Sequence, residues 1–416
     1  MIKSTTISAI ITLLALLVLT ACGGDGDTPS TSPTAAPKPA ATAKPAATAK
    51  PAAKPVATSK PAAKPAATAK PVAKPAAEPT AKPTAKATSV PAKPGELVVL
   101  TNDSFDIGEE IIAQFEEANN AKVTIQKAGS SGAVLNRAIL EKGNPSGDLL
   151  YGVDNTFLSR ALREDIFIQY ESDLIDNVPA QFILDDTFHV TPVDYGYVNL
   201  NYDIAYLEEN GLTAPTSLEV LTQPEWDGRL VVENPATSTP GLAFLIATVS
   251  YFGEDDDYDY LDYWADLRAN NLAVKDGWSE AYYTDFSKYG GDRPLVLSYA
   301  TSPAAEFFFS EVALEEPPTG NVLVDKATFL QIEGIGILKG TDNEDLAKKF
   351  IDFVLDRPFQ EDIPGRMFVY PVNSEAELPD YFRFAEVPSA PADIGPDTID
   401  AKRDEWIDEW TSVVLR

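Results

Sequence analysis

The stretch KDGWSEAYYTDF, residues 275–286, places one tryptophan, three other aromatic residues and three acids within twelve positions. An indole face beside carboxylates suits a flat cationic ligand, which gains roughly 0.5–2 kcal/mol by cation–π attraction. Trp278 is therefore a candidate wall of a binding site. Core packing is the alternative, because tryptophan is highly buried on average. Glu280 is equally explained as an acid in the first turn of a helix, where the macrodipole favours it.

A second candidate is the sequence STPG at residues 238–241. Ser238 or Thr239 is a good helix N-cap, and Pro240 suits the first turn of a helix that continues through LAFLIATVSYF. The free amides and the positive dipole end at such a terminus hold anionic or hydroxyl oxygens. The alternative is that the hydroxyl caps its own helix and binds nothing. The same two interpretations apply to the sequence TSP at 301–303.

Two further candidates, Asp154 and Tyr299, come directly after short apolar runs. Asp154 could also cap a helix that begins at Asn155. His189 is the only histidine, so a histidine-rich metal site or a Ser-His-Asp triad is not expected. Cys22 is the only cysteine, which excludes an intrachain disulfide, a cysteine nucleophile and a cysteine-ligated metal from the folded part.

The elements that must position these residues alternate between strands and helices. Apolar residues recur at helical spacing in IGEEIIAQFEEANN and NEDLAKKFIDFVLD. Such alternation predicts an α/β fold with parallel sheets covered on both faces, and these sheets bind ligands at the carboxyl ends of their strands. The predicted strands are ELVVLTN, KVTIQKAG, DLLYGVD, RLVVENP, LAVKDG and PLVLSYA.

The N-terminal quarter of the chain has a different character. Residues 1–22 combine Lys3, an apolar run and LTAC, which resembles the signal peptide and lipobox of bacterial lipoproteins, with Cys22 as the lipid-bearing residue. Residues 23–94 repeat alanine, lysine and proline and hold almost no large apolar side chain. We expect them to form a disordered tether between the membrane and the folded part.

The folded part is strongly acidic. Twelve basic and three acidic residues precede residue 95, so 21 basic and 60 acidic residues remain, a net charge near −39. This charge repels phosphate backbones and argues against a nucleic-acid partner. It attracts cations in general, although solubility alone explains it equally well.

A series of short stretches lies along most of residues 96–416, namely TNDSF, VLNRA, Asp154–Asn155, VDYGY, STPGL, GWSEAY, LSYATSP, YPV and RDEWIDEW. In their order and spacing these stretches resemble the thiamine-binding solute receptors of bacterial ABC transporters. The family implies a two-lobed, periplasmic-binding-protein-like α/β fold that closes on its ligand about hinge strands. We expect the chain to cross between the two lobes near residues 197–201 and 329–333. Lobe 1 would then comprise residues 95–198 and 330–416, and lobe 2 residues 199–329.

The resemblance also implies a set of ligand contacts. In the family the tryptophan of GWSEAY stacks on the ligand, and an aromatic residue before YPV closes the pocket. This sequence departs from the family at several positions: an Asp-Gly pair aligns with Ser130 and Ser131, and family tyrosines fall on Asn102 and Ala305. The predicted ligand-binding residues are Ser130, Ser131, Asp154, Ser238, Thr239, Trp278, Tyr299, Ala300, Thr301, Ser302 and Phe368.

The function implied is an extracytoplasmic, lipid-anchored receptor, not an enzyme, that delivers thiamine or a thiamine phosphate to an ABC transporter permease. No cofactor or metal is expected. A ferric-iron receptor of the same superfamily is an alternative, because such receptors use adjacent tyrosines and Tyr282 and Tyr283 are adjacent. A thiamine-cleaving enzyme is less favoured, since those enzymes of this fold use a cysteine nucleophile.

Overall fold

The computed structural model describes residues 94–416. The predicted signal peptide, the predicted lipid attachment at Cys22 and the predicted tether up to residue 93 lie outside the described residues. The strands are β1 Gly95–Thr101, β2 Ala121–Lys127, β3 Leu149–Asp154, β4 Phe167–Ile168, β5 Thr191–Asp203, β6 Leu230–Glu233, β7 Ala273–Lys275, β8 Leu295–Tyr299, β9 Thr319–Val322, β10 Phe329–Leu338 and β11 Tyr370–Pro371.

The helices alternate with these strands, as the sequence predicts. All six strands and both amphipathic helices expected from the sequence are confirmed to within a few residues. The helices are α1 Glu109–Asn119, α2 Ser131–Leu140, α3 Leu158–Arg163, α4 Ile204–Glu209, α5 Thr239–Phe252, α6 Tyr260–Ala269, α7 Trp278–Glu280, α8 Ser302–Phe308, α9 Glu344–Leu355, α10 Arg357–Arg366 and α11 Pro396–Val414.

Two parallel groups of strands are joined through two long antiparallel strands. The main order is β2-β1-β3-β10-β5-β8-β6-β7, with β4 paired to β10 and with β9 and β11 paired to β5. Strands β1, β2 and β3 run parallel, as do β6, β7 and β8. Strands β5 and β10, called here the connecting strands, pair with each other over Phe329↔Val198 to Ile335↔Thr191. Both predicted crossings lie in these strands, while the lobe boundaries themselves remain a prediction.

Helix burial follows directly from the residue pattern. In α9 the buried residues recur at positions i, i+3, i+4, i+7 and i+8 from Ala347 to Leu355, the spacing of one apolar stripe. Helix α5 has no polar face, and nearly all its side chains from Thr239 to Phe252 are buried. A helix that is apolar all round belongs in the interior, and the N-terminus of this buried helix lies at the cavity.

The C-terminal helix α11 closes the core on the α6 side. Trp406 and Trp410 are fully buried, and the Trp410 ring meets the edge of Trp264 with centroids 5.6 Å apart. The Trp264 indole donates a hydrogen bond to Thr248 in α5 at 2.9 Å, so three helices share one aromatic cluster. Within residues 94–416, no helix combines the length and the apolar character that crossing a membrane requires.

The start of α6 is fixed by a capping box. Asp259 accepts hydrogen bonds from the backbone amides of Leu261 and Asp262 at 2.8 and 3.0 Å, and the Asp262 carboxylate bonds back to the Asp259 amide. We expect Asp259→Ala to lower the free energy of unfolding by about 1 kcal/mol, as measured by urea denaturation. The control is Asp257→Ala, which removes an exposed acid of the same loop. Equal effects of the two substitutions would contradict a capping role.

Candidate ligand-binding site

A cavity of about 550 Å³ opens at the carboxyl ends of both parallel groups of strands. Its volume lies within the range of small-molecule sites, and its place matches the rule for ligand sites in open α/β sheets. The lining residues come from the loops after β1, β2, β6 and β7, and from β3, β8, β10 and the segment after α10. They are Asn102, Asp103, Ser104, Gly129, Ser130, Ser131, Ala133, Tyr151, Thr237, Ser238, Thr239, Pro240, Asp276, Gly277, Trp278, Ser279, Glu280, Tyr299, Glu333, Met367 and Val369.

The Trp278 indole lines this cavity and is held in place by neighbouring side chains. The ring stacks on Tyr282 with centroids 4.8 Å apart and planes at 22°, and Tyr283 meets its edge at 5.4 Å. The indole nitrogen donates to Ser298 Oγ at 2.8 Å, which fixes the ring's rotation. One face is covered by Tyr282, so the opposite face is the one available to a ligand. Trp278 is half-buried, whereas the other four tryptophans of the chain are almost fully buried.

The N-terminus of α5 enters the cavity with both hydroxyls of its first turn. Ser238 caps the helix, since its Oγ accepts from the Gly241 amide at 3.4 Å, and it also lines the cavity. Thr239 Oγ1 accepts from Gln331 Nε2 at 3.0 Å, and Gln331 Oε1 accepts from the Tyr299 hydroxyl at 2.8 Å. Gln331 of β10 thus ties the helix start to Tyr299. Burial raises the Tyr299 pKa well above its usual value, so this hydroxyl stays a neutral donor.

The remaining hydroxyls predicted for the site divide into two groups. Ser130 and Ser131 line the cavity, and Ser131 Oγ accepts from Asn102 Nδ2 at 3.1 Å. Thr301 and Ser302 are buried at the start of α8 and are absent from the lining. Ser302 Oγ lies 2.9 Å from the Ser298 Oγ that holds the Trp278 indole, so it supports the ring from behind.

The other predicted residues outside the lining are Asp154, Ala300 and Phe368. Asp154 Oδ1 accepts from the Thr156 amide at 3.0 Å and the Thr156 hydroxyl at 2.7 Å, so this carboxylate turns back to cap its own loop. Ala300 is fully buried. The Phe368 ring packs 5.0 Å from Phe309, with the backbone at φ 54°. A direct ligand contact by these three residues remains a prediction.

Sequence reasoning missed Glu333, the cavity-lining acid of β10. It lies directly opposite Asp154 of β3 and Asp194 of β5, so three acids form one line across three strands, called here the carboxylate row. Burial raises the Glu333 pKa well above its usual range, and Asp194 and Asp154 raise it further. Burial also raises the pKa of Asp154, to about 6. The available signal was an acid inside the run FLQIEGIGIL, in which Gln331 is the only other polar side chain.

The adjacent tyrosines that an iron site would use differ in burial, although their rings meet edge to face with centroids 5.4 Å apart. Tyr282 is buried and donates to Glu306 Oε1 at 2.9 Å, while Tyr283 is 52% exposed. Neither tyrosine lines the cavity. Over residues 94–416, no group of three or more His, Cys, Asp or Glu residues is arranged to hold a metal ion.

Comparison with known proteins gives consistent likenesses. Residues 144–390 match the family model described as bacterial extracellular solute-binding protein. The chain is 32% identical over 333 residues to the thiamine-binding periplasmic protein of Escherichia coli K12, covering 78% of this chain and 95% of that relative. It is similar to the solved structure of a periplasmic thiamin binding protein, with a TM-score of 0.68 and 30% identity, covering 78% and 97% of the two chains.

A ferric binding protein from Campylobacter jejuni shares the fold with a TM-score of 0.61 at 19% identity, covering 76% of this chain and 99% of that chain. At this level of identity the likeness concerns the fold alone. These likenesses confirm the predicted two-lobed α/β fold class.

Proposed function

This chain belongs to the bacterial extracellular solute-binding proteins, and we propose that it captures thiamine or a thiamine phosphate and delivers it to an ABC transporter permease. The resemblance to thiamine-binding receptors that the sequence carries is confirmed by relatives named for that ligand. These relatives are binding proteins, which favours a receptor over an enzyme.

One observation carries the proposal: the same cavity is lined by the open face of Trp278 and by the hydroxyl groups of Ser238 and Thr239 at the start of α5. Thiamine joins a flat cationic thiazolium and an aminopyrimidine to a hydroxyethyl arm, which is phosphorylated in its phosphates. The open face of Trp278 suits a flat ring, and the cation–π attraction adds to the apolar contact. Ser238, Thr239 and the positive end of the α5 dipole suit a hydroxyl or phosphate oxygen at the other end.

Charge favours the same ligand. Three acids line the cavity mouth besides Glu333, namely Asp103, Asp276 and Glu280. Glu280 lies 3.2 Å from Lys275 and is therefore already paired, so it offsets a ligand charge less than the sequence suggested. A net excess of carboxylates draws a cationic ligand into the cleft.

The location of the receptor is part of the proposal. Export rests on the signal region at residues 1–22, and anchoring rests on the lipobox-like LTAC that ends at Cys22. We expect cells grown with a labelled fatty acid to label this protein, and Cys22→Ala to abolish the label. Retention of the label in Cys22→Ala would exclude Cys22 as the lipid attachment site.

The proposed function is tested by calorimetric titration of the purified protein with thiamine and its mono- and diphosphate. We expect saturable binding of at least one form, with quenching of tryptophan fluorescence, because Trp278 is the only tryptophan in the described cavity lining. Ferric ion is the comparison ligand, and a visible charge-transfer band on its addition would favour iron. Absence of heat with all three thiamine forms would refute the proposal.

A further inference from the structure

The carboxylate row places three acids side by side on neighbouring strands. Glu333 of β10 is in register with Asp154 on one side and with Asp194 on the other. Asp154 and Asp194 are at most 1% exposed, and Glu333 is half-buried at the cavity. Like charges directly opposite each other destabilise a sheet, and burial strengthens the repulsion. Because this arrangement of acids destabilises the folded state, we expect the acids to serve the function of the protein.

The protein supplies little to neutralise this row. Asp194 accepts a hydrogen bond from the Tyr151 hydroxyl at 2.5 Å, and Glu333 accepts one from Asn102 Nδ2 at 3.3 Å. Both donors are neutral. In the part of the chain that the structure describes, no ion pair includes any of the three acids. Asp154 Oδ2 has no hydrogen-bond partner among the described residues.

The other charged and titratable groups around the row do not change this balance. Arg403 attracts Asp154 from α11, but it is paired with the neighbouring Asp404. The hydroxyl of Tyr299 on β8 is held neutral by burial, which raises its pKa. Glu233 of β6 is a further buried acid, and neither of its oxygens has a partner in the described structure. The surroundings of Glu333 therefore contain an excess of acids.

Only Glu333 of the three acids reaches the cavity, together with Tyr151. A ligand cation can therefore approach Glu333 without any movement of the protein, while Asp154 and Asp194 act on that cation through it. We propose that Glu333 is the residue that selects a cationic ligand over a neutral one, and that the arriving cation displaces a proton held by Glu333 and Asp194. This inference rests on the proposed function, because it concerns the same cavity.

The direction of the proton exchange follows from burial. In the free protein, burial raises the pKa of Glu333 and of Asp194, and the two acids repel each other's ionised form. The pair thus holds a proton near neutral pH. A cation in the cavity favours the ionised carboxylate, so the proton leaves to solvent on binding. Affinity for the cation then increases with pH until the free protein no longer holds the proton, by up to about tenfold per pH unit.

The test compares thiamine with its neutral isostere in which a thiophene replaces the thiazolium. The purified protein is titrated calorimetrically near pH 7 in two buffers of different ionisation enthalpy, which reports the protons released. We expect the wild type to prefer thiamine by about tenfold or more, with up to one proton released for thiamine and none for the isostere. Glu333→Gln should retain affinity for the isostere while losing both the preference and the proton release.

The control variant is Glu316→Gln, which removes the same charge from an exposed position and should keep both properties. If Glu333→Gln fails to fold, Asp194→Asn serves instead and should reduce proton release while keeping the preference for the cation. The inference would be overturned if Glu333→Gln kept both the preference for thiamine over the isostere and the proton release, or if Asp194→Asn left the proton release unchanged. Neither result would affect the proposed function. Failure of the wild type to bind thiamine would overturn the proposed function and this inference together.

Discussion

Trp278→Ala is expected to weaken thiamine binding about 100-fold, equivalent to about 2.7 kcal/mol. The substitution removes the only tryptophan face that lines the described cavity. Stacking of a heterocycle on an aromatic side chain contributes roughly 1–3 kcal/mol, and a cationic ring adds electrostatic attraction to the indole. The loss should be large because Tyr282 behind the ring and Ser298 at its nitrogen already hold the indole in place. The measurement is calorimetric titration with thiamine.

Two companion variants separate stacking from general disturbance. Trp278→Phe keeps an aromatic face but loses the hydrogen bond to Ser298, so we expect an intermediate affinity. Tyr283→Ala removes a 52% exposed ring that meets Trp278 at its edge and does not line the cavity. It should change the affinity no more than about threefold. Wild-type affinity in Trp278→Ala would exclude the indole as a ligand contact.

The sequence was sufficient to predict six of the eleven strands, both amphipathic helices and the start of α5. Runs such as DLLYGVD and RLVVENP are short, rich in Val and Leu and end in polar residues, which predicts buried strands, and both are buried along their whole length in the structure. STPG before a long apolar run predicts the α5 terminus, because serine caps and proline at the start of a helix have a local physical cause. Trp278, Tyr299, Ser238 and Thr239 were chosen as candidates because each lies at or just beyond the carboxyl end of a predicted strand, and all four line the cavity.

The contacts that sequence could not predict depend on register and on the direction of side chains. Asp154 ends a strand as a site residue should, yet its carboxylate turns back to Thr156. Glu333 lies inside a strand, and its importance arises from Asp194 and Asp154 on the two neighbouring strands. Pairing across 139 to 179 residues of chain cannot be read from either segment alone.

The connecting strands contribute side chains to the site as well as joining the two parallel groups. Gln331 of β10 holds Tyr299 and Thr239, and Glu333 two residues later lines the cavity. Both side chains lie on the same face of β10, because residues two apart on a strand share a face. Any rearrangement of β5 against β10 would therefore alter the ligand contacts directly.

Gly241→Ala is expected to lower the free energy of unfolding by about 3 kcal/mol, the upper part of the range for an overpacked interior. Gly241 lies in the first turn of α5, where a Cβ would approach Glu233 O to 2.6 Å, Glu233 C to 2.9 Å and Asn234 C to 3.0 Å. All three atoms belong to the backbone, so no flexible side chain can move aside. The helix start must shift, and with it Ser238 and Thr239, so thiamine affinity should fall as well. Urea denaturation measures the first effect and calorimetry the second.

Gly277→Ala is the matched control, since Gly277 lines the same cavity as the α5 terminus. Its backbone is extended at φ −158° and ψ 161°, and an added Cβ would meet no atom within 4 Å. Alanine fits there without strain, so stability should change by no more than about 1 kcal/mol. If both substitutions lower the free energy of unfolding equally, the close approach of α5 to β6 does not explain the loss of stability in Gly241→Ala. If only Gly241→Ala does, the position of the α5 terminus depends on the close approach of Gly241 to the backbone of Glu233 and Asn234.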